Sequence, residues 1–179
     1  MLRAAQYDYR TSSRLRTSGV LSLLIAVGIA GCANLVLTPS DKILEGRGIA
    51  ADGDSIRIEN TRIRLKGIDA PELDQICRRG GQTYLCGENA RDTLLSLILH
   101  NQITCKSAGR DKYKRILATC SVGDVDLGAR MVASGWALSY GDYSRQEAAA
   151  RARGAGLWAG SFDQPREWRR RHPVDRYPS

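Results

Sequence analysis

Acidic side chains cluster in two short segments of this 179-residue chain. Asp54 lies in an Asp-Gly-Asp-Ser segment, and Asp69 and Glu72 lie in an Asp-Ala-Pro-Glu segment. Taken singly, each segment is more often an ordinary turn or helix start. Clustered carboxylates, however, repel each other unless a positive charge lies between them. Since they offer oxygen ligands, a hard divalent cation such as calcium or magnesium suits them.

Two arginines accompany these carboxylates. Arg64 lies five residues before Asp69, and Arg115 ends the polar segment Asp-Lys-Tyr-Lys-Arg. Guanidinium groups beside a bound metal suit a phosphate in transit to a pentacoordinate state, because they hold its extra negative charge by bidentate hydrogen bonds. The combination indicates phosphoryl chemistry at a metal.

A β-hairpin is predicted to position the first of these residues. Residues 55–58 and 61–65 alternate polar with apolar side chains on either side of Glu59-Asn60, as two strands joined by a two-residue turn do. Four side chains would face the core: Ile56, Ile58, Ile63 and Leu65. The same alternation puts three cations on the opposite face: Arg62, Arg64 and Lys66. The hairpin would also bring the two acidic segments to one end of the sheet.

The remaining pattern predicts strands before helices. Residues 102–107 and 115–122 form a second strand pair, and residues 89–99 have the apolar stripe of an amphipathic helix. Asp126 can cap a helix that ends near Gly135, and Ser144-Arg-Gln-Glu has the form of a capping box that opens another. Strands followed by helices indicate the α+β class, with a small OB-type barrel as one candidate.

Three motifs in this order resemble the staphylococcal nuclease (thermonuclease) family. They are Asp-Gly-Asp-Ser, Arg-Leu-Lys-Gly-Ile-Asp-Ala-Pro-Glu and Asp-Lys-Tyr-Lys-Arg, and the resemblance extends from about Asp41 to Trp158. One motif alone would be weak, whereas three in order are specific. The resemblance implies a five-stranded OB-type β-barrel with about three packed α-helices, over residues 41–160.

The resemblance also implies roles for individual residues. One calcium ion would have three ligands: Asp54, Asp69 and the backbone carbonyl of Ala70. Three side chains would be catalytic: Glu72, which activates or orients the attacking water, and the transition-state arginines Arg64 and Arg115. Three would bind the nucleotide: Lys112, Tyr113 and Tyr140. DNA and RNA would both be cut, and the products would end in a 3′-phosphate.

Two positions depart from the family pattern. Ala70 stands where the best known member has Thr, a change that a backbone ligand tolerates. Lys114 stands where the family often has Gly, so we expect an altered loop and an added charge beside the substrate.

The N-terminus has the form of an export signal. Arg14 and Arg16 precede the apolar run from Val20 to Ala30, which leads into Ile-Ala-Gly-Cys at Cys32. These four residues resemble a bacterial lipoprotein signal, which implies a signal peptide over residues 1–32, lipidation of Cys32 and a linker over residues 33–40. An uncleaved anchor helix and an ordinary cleaved signal are the alternatives. The protein is thus expected in the bacterial cell envelope, facing the periplasm or the exterior, or secreted.

Four cysteines remain beyond Cys32, an even number that suits an oxidising compartment. Cys77 and Cys86 enclose a predicted flexible loop, and Cys105 and Cys120 flank a short polar segment, so we pair them in that way. A four-cysteine zinc site is the alternative, but the close cysteine pairs of structural zinc sites are missing.

The net charge of +8 favours polyanionic partners without identifying one. Residues 161–179 are rich in Arg, Pro and Trp and are predicted to form a basic, partly disordered tail; electrostatic help with nucleic acid or anionic lipid is the alternative. The leading hypothesis is a monomeric, membrane-tethered, metal-dependent nuclease acting on DNA and RNA. The rivals are a nucleic-acid-binding barrel lipoprotein with little or no activity, and a structural envelope lipoprotein.

Overall fold

The structure is a computed structural model that describes residues 42–173. The chain divides into two units, Met1–Ser40 and Asp41–Ser179. The first unit, with the predicted signal and Cys32, lies outside the described residues, as do residues 174–179. Within the described range, no helix is long and apolar enough to cross a membrane.

Eleven strands lie in the described part of the chain: β1 (Ile43–Gly46), β2 (Gly48–Ala50), β3 (Ser55–Ile58), β4 (Thr61–Leu65), β5 (Ile68–Asp69), β6 (Ile76–Arg79), β7 (Gln82–Leu85), β8 (Ile103–Arg110), β9 (Ile116–Val122), β10 (Val125–Asp126) and β11 (Leu138–Ser139). The main sheet has seven strands in the order β1-β8-β9-β4-β3-β2, with β10 paired to β9. Its neighbours are antiparallel except for β4 and β9, which are parallel.

The fold is of the α+β class, as predicted, but the sheet has seven strands where five were expected. Two features account for the difference: Arg47 separates two short strands, β1 and β2, and the two-residue β10 adds a short pair. Since Arg47 alone separates the two edge strands in the chain, the sheet curls until its edges approach each other. No strand pair in the described residues closes it into a barrel.

The predicted hairpin forms as β3 and β4. Ile56 faces Ile63 across the pair and Ser55 faces Arg64. The four predicted core side chains of this hairpin are buried, whereas Arg62 and Lys66 are exposed and Arg64 is half-buried. The period of two therefore separates an apolar core face from a cationic face, as the sequence indicated.

Two smaller sheets flank the main one. The strand β5 pairs with β11, which brings Leu138 opposite Asp69. The strands β6 and β7 form a hairpin around Gly80-Gly81, so the predicted flexible loop between Cys77 and Cys86 is an ordered strand pair. That prediction was wrong because two adjacent glycines between short strands also make a tight hairpin turn.

Four α-helices and one 3-10 helix are present among the described residues, against about three predicted helices. They are α1 (Cys86–Ile98), α2 (Leu127–Ala133), α3 (Ser144–Ala152), the 3-10 turn (Gly156–Ala159) and α4 (Pro165–Arg171). Asp126 caps α2 as predicted, with its carboxylate accepting from the Ala129 N–H at 2.9 Å. The predicted capping box at Ser144 does not form, since Tyr143 is the N-cap of α3 and its side chain makes no capping bond.

The core lies between the sheet and the helices α1 and α2. Ile63 and Leu65 from the sheet pack with Leu94 and Ile98 of α1 and with Met131 of α2, all almost fully buried. Burying one such side chain contributes about 1.5–3 kcal/mol. This packing fixes the strands whose ends carry the candidate site residues.

Both predicted cysteine pairs form disulfides. Cys105 and Cys120 are partners in the β8–β9 register, with Cα atoms 4.0 Å apart. Cys77 and Cys86 join β6 to the start of α1, with Cα atoms 5.6 Å apart. The four cysteines therefore form two disulfides and not a zinc site.

The C-terminal segment differs most from expectation. Residues 165–171, which we placed in a partly disordered tail, form α4. The preceding residues are held too, because Ser161 and Arg78 exchange two backbone hydrogen bonds of 2.9 Å. The last residues of the predicted tail, 174–179, lie outside the described part of the chain.

Candidate active site

A cleft of about 1040 Å³ opens beside the loop that follows β4. All nine predicted metal-binding, catalytic and substrate-binding residues line it: Asp54, Arg64, Asp69, Ala70, Glu72, Lys112, Tyr113, Arg115 and Tyr140. Segments far apart in sequence thus meet at one surface. The parallel pairing of β4 with β9 contributes to this, because it sets Ile116, the residue after Arg115, opposite Ile63.

Asp54 lies at the start of β3 and is 3% exposed. Its carboxylate accepts hydrogen bonds from the Ala70 N–H at 2.9 Å and from the Ser55 hydroxyl at 3.1 Å. Gly53 permits this close approach, since a Cβ there would lie 2.7 Å from the side chains of Ala70 and Ala90. The Asp-Gly-Asp motif is therefore a packing requirement as well as a source of carboxylates.

Arg64 connects the two acidic segments. Its guanidinium donates one hydrogen bond to Asp54 and another, of 2.9 Å, to Asp69. The pKa of Asp54 is raised to about 8. Burial is the main cause and the neighbouring Asp52 adds to it, whereas Arg64 opposes the rise. Arg64 lowers this pKa but does not cancel the effect of burial.

Glu72 lies in a turn rather than on a strand or helix. Its backbone N–H donates to the side-chain oxygen of Gln75 at 3.2 Å, and its carbonyl accepts from the Gln75 N–H at 2.8 Å. Gln75 is completely buried. The backbone that carries Glu72 is therefore fixed from beneath while its carboxylate faces the cleft.

Arg115 lies at the end of the loop between β8 and β9. Its Nε donates to Asp111 at 2.7 Å, and the same carboxylate accepts from the backbone N–H groups of Tyr113 and Arg115 at 2.9 Å. Desolvation opposes the shift, but these hydrogen bonds hold the pKa of Asp111 below its usual range. Asp111 thus organises the loop around Arg115.

Lys114, which stands where the family often has glycine, has an unusual backbone conformation. Lys114 has φ +64°, in the left-handed region that glycine adopts without strain. Lys114 thus adopts a backbone conformation that favours glycine.

The predicted substrate-binding residues lie at the rim of the cleft. The ammonium of Lys112 lies 5.0 Å from the ring centroid of Tyr113, and the guanidinium of Arg115 lies 5.5 Å from it. Tyr140 is 73% exposed, and its backbone N–H donates to Gly67 at 2.7 Å. An exposed ring beside a cationic cleft is available for stacking on a base.

Arg169 is a cleft residue that sequence reasoning missed. It lies on α4 and donates to Asp69 at 3.1 and 3.0 Å and to Glu72 at 2.8 Å. The signal that could have found its helix is Pro165, since proline favours the first turn of a helix. No sequence pattern singles out Arg169 from Arg170 and Arg171.

The donors suit a hard cation, although no three acidic, His or Cys side chains of the described residues are grouped as a metal site. Two carboxylates, those of Asp54 and Asp69, are brought together by their shared partner Arg64. With the carbonyl of Ala70 they would offer only oxygen donors, the type that calcium prefers. The residues therefore fit the metal that the resemblance implies.

Carboxylates and arginines converge on one cleft beside a curved sheet with packed helices, an arrangement suited to phosphodiester hydrolysis. Residues 62–160 match the family described as "Staphylococcal nuclease homologue". The chain belongs to this staphylococcal nuclease family.

The chain is also similar to individual proteins, two of which are named as endonucleases. The chain is 33% identical over 156 residues to "Succinoglycan biosynthesis protein ExoI" of Rhizobium meliloti, covering 82% of this chain and 78% of that protein. It is 28% identical over 137 residues to an "Uncharacterized endonuclease" of Haemophilus influenzae, covering 70% and 72%. It is 31% identical over 178 residues to "Probable endonuclease LCL3" of Verticillium alfalfae, covering 87% of this chain and 61% of that protein.

Proposed function

We propose that this nuclease depends on calcium and hydrolyses both DNA and RNA to products that end in a 3′-phosphate. The observation that carries the proposal is the bridge from Arg64 to Asp54 and Asp69, in a cleft that also contains Glu72 and Arg115. This combination supplies metal ligands, a base and two guanidinium groups at one place.

One calcium ion would be held by Asp54, Asp69 and the carbonyl of Ala70. When bound, it would supply Lewis acidity and neutralise charge on the scissile phosphate. Bound there, the ion would add positive charge between the carboxylates of Asp54 and Asp69.

Three side chains have separate roles in the reaction. Glu72 orients a water and accepts its proton as the water oxygen forms a bond to phosphorus. The bond from phosphorus to the 5′ oxygen breaks, and that oxygen takes a proton from solvent. Arg64 and Arg115 donate hydrogen bonds to the phosphate oxygens, whose negative charge grows in the transition state.

The rim of the cleft binds the nucleic acid. Lys112 and Tyr113 contact the terminal phosphate, and Tyr140 stacks on a base or makes a further contact. Contact with a phosphate and stacking on a base depend on neither a base edge nor a 2′-hydroxyl, which supports action on both DNA and RNA. Since one chain supplies all of these residues, we propose that a monomer is active.

We also propose that the protein works outside the cytoplasm, tethered to a membrane through lipidated Cys32. The Ile-Ala-Gly-Cys sequence supports lipidation, and the two disulfides support an oxidising compartment. Mass spectrometry of the mature N-terminus, with Cys32→Ser as control, tests the tether. A lipid mass on Cys32 that is lost in the variant supports it, and an unmodified chain starting elsewhere refutes it.

The catalytic proposal is tested with purified full-length protein and single-stranded DNA and RNA of equal length. We expect both to be cut with calcium and neither with chelator, and we expect phosphatase to remove a 3′-terminal phosphate from the products. Tight DNA binding without cleavage would instead support the nucleic-acid-binding alternative. Cleavage that persists in chelator would refute the calcium requirement.

A further inference from the structure

The two carboxylates that Arg169 contacts have different proposed tasks. Its Nη1 donates to Glu72 at 2.8 Å and to Asp69 at 3.1 Å, while its Nη2 donates to the second oxygen of Asp69 at 3.0 Å. One guanidinium therefore joins the proposed base to a proposed calcium ligand. Its planar fork fixes both distance and orientation, which a single point charge does not.

The helix that carries Arg169 is held by contacts elsewhere in the chain. A seven-residue helix is too short to be stable alone. Pro165 is buried at its first turn, and the segment before it pairs with β6 through Ser161 and Arg78. Gly160 allows this approach, because a Cβ there would lie 1.9 Å from the Arg78 carbonyl oxygen.

Gln75 ties this segment to the backbone of Glu72. Its side-chain oxygen accepts from the Glu72 N–H at 3.2 Å, and its side-chain nitrogen donates to the Asp163 carbonyl at 2.7 Å. Glu72 is thus linked to the C-terminal segment twice, through its backbone by Gln75 and through its carboxylate by Arg169. These two links fix the position of Glu72 relative to α4.

The neighbouring arginines provide a contrast. Arg170 is exposed and lies near Glu167, and Arg171 pairs with Asp163. Within the described part of the chain, Arg169 is the one of the three consecutive arginines that pairs with cleft carboxylates. General attraction of the basic segment to nucleic acid would not require this distinction.

We infer that Arg169 is a positioning residue of the active site, which holds Glu72 and Asp69 in register for the hydrolytic step. The inference rests on the proposed function. It extends the active site beyond the residues of the three sequence motifs to the C-terminal helix. Partners of this kind around a metal site typically change activity about 10–100-fold when they are removed.

The kinetic test compares Arg169→Ala, Arg169→Lys and the control Arg170→Ala in the full-length protein, with calcium and single-stranded DNA. We expect Arg169→Ala to lower kcat about 10–100-fold with KM changed less than about 3-fold. Lysine should restore part of the loss, since it returns the charge without the fork. Arg170→Ala should keep kcat within about 2-fold, because Arg170 contacts no cleft carboxylate.

A second measurement is independent of activity. Thermal unfolding without calcium is followed for Glu72→Ala, Arg169→Ala and the double variant, with Glu72→Ala combined with Arg170→Ala as control. If residue 72 and Arg169 are in direct contact, the change in Tm of their double variant will differ from the sum of the two single changes. For the control double variant, the change in Tm will equal the corresponding sum. This also shows that the variants are folded.

The outcomes separate the two proposals. Hydrolysis by the unaltered protein with unchanged kcat in Arg169→Ala overturns the inference alone. Faster hydrolysis in Arg169→Ala would make α4 an inhibitory cover, and raised KM at unchanged kcat would make Arg169 a substrate contact; either result overturns positioning. Additive changes in Tm would refute the contact. An inactive unaltered protein overturns the proposed function, and the inference falls with it.

Discussion

The two walls of the cleft are fixed by different means. The strand wall consists of Asp54, Arg64 and Asp69, which lie on or beside strands paired within sheets. The helix wall is α4 with Arg169, held by Pro165, by backbone bonds to β6 and by Gln75. The strand wall therefore depends on the core, whereas the helix wall depends on a few contacts to one hairpin. We expect loss of the first to abolish the chemistry and loss of the second to impair it.

The largest expected effect is on the strand wall. Arg64→Ala should lower kcat about 10³-fold, because it removes a donor to the transition state and leaves Asp54 and Asp69 without their shared cation. Arg62→Ala is the matched control, since Arg62 lies on the same strand but is exposed. Steady-state cleavage of single-stranded DNA measures both. Equal losses in the two variants would refute a special role for Arg64.

A smaller effect is expected on metal binding. Asp69→Asn should weaken calcium binding at least about 10-fold, measured by calorimetry without substrate, because it removes one carboxylate ligand. Asp74→Asn, at an exposed position five residues further on, should leave calcium binding unchanged. Calcium binding that is the same in both variants would contradict the assignment of Asp69 as a ligand.

Removing each disulfide in turn tests whether the helix wall depends on the β6–β7 hairpin. Replacing Cys77 and Cys86 together by Ala should lower the free energy of unfolding by about 2–4 kcal/mol, and so should replacing Cys105 and Cys120. Only the first pair closes the region on which the helix wall rests. We therefore expect about a 10-fold fall in kcat for the first variant and little change in kcat for the second.

Cleavage rates measured well below the unfolding temperature test this difference. If loss of Cys105–Cys120 lowered kcat as much as loss of Cys77–Cys86, the helix wall would not depend specifically on its hairpin.

The smallest effect concerns the loop at Arg115, which belongs to neither wall. Lys114→Gly should raise the free energy of unfolding by up to about 1 kcal/mol, since glycine relieves the left-handed strain at φ +64°. Lys114→Ala keeps that strain and should bring no such gain. Chemical denaturation measures both variants. A gain as large with alanine as with glycine would show that the lysine charge, and not the backbone, is responsible.

Much of the strand wall could be predicted from sequence. The alternation around Glu59-Asn60 places Arg64 opposite the core, and the ordered motifs place Asp54 and Asp69 near it. These are local patterns that sheet pairing preserves. Cap formation at Asp126 was likewise local, whereas the expected cap at Ser144 failed because the chain enters α3 one residue earlier.

The helix wall could not be predicted in the same way. The segment around Arg169 has no apolar period, and its helix exists because of contacts with residues some 80 to 100 positions earlier in the chain. The β6–β7 hairpin that supports it was interpreted as a flexible loop. Such tertiary contacts leave little trace in the local sequence.

Glu72 provides the most direct test of the chemistry. Glu72→Gln keeps the shape of the side chain and its capacity to accept a hydrogen bond from Arg169, but it removes the base. In single-turnover cleavage of DNA with calcium, we expect a rate about 10³-fold below that of the unaltered protein, with DNA binding retained. Glu88→Gln, an exposed glutamate in the first turn of α1, should cleave at the unaltered rate. Full activity in Glu72→Gln would contradict hydrolysis through this residue.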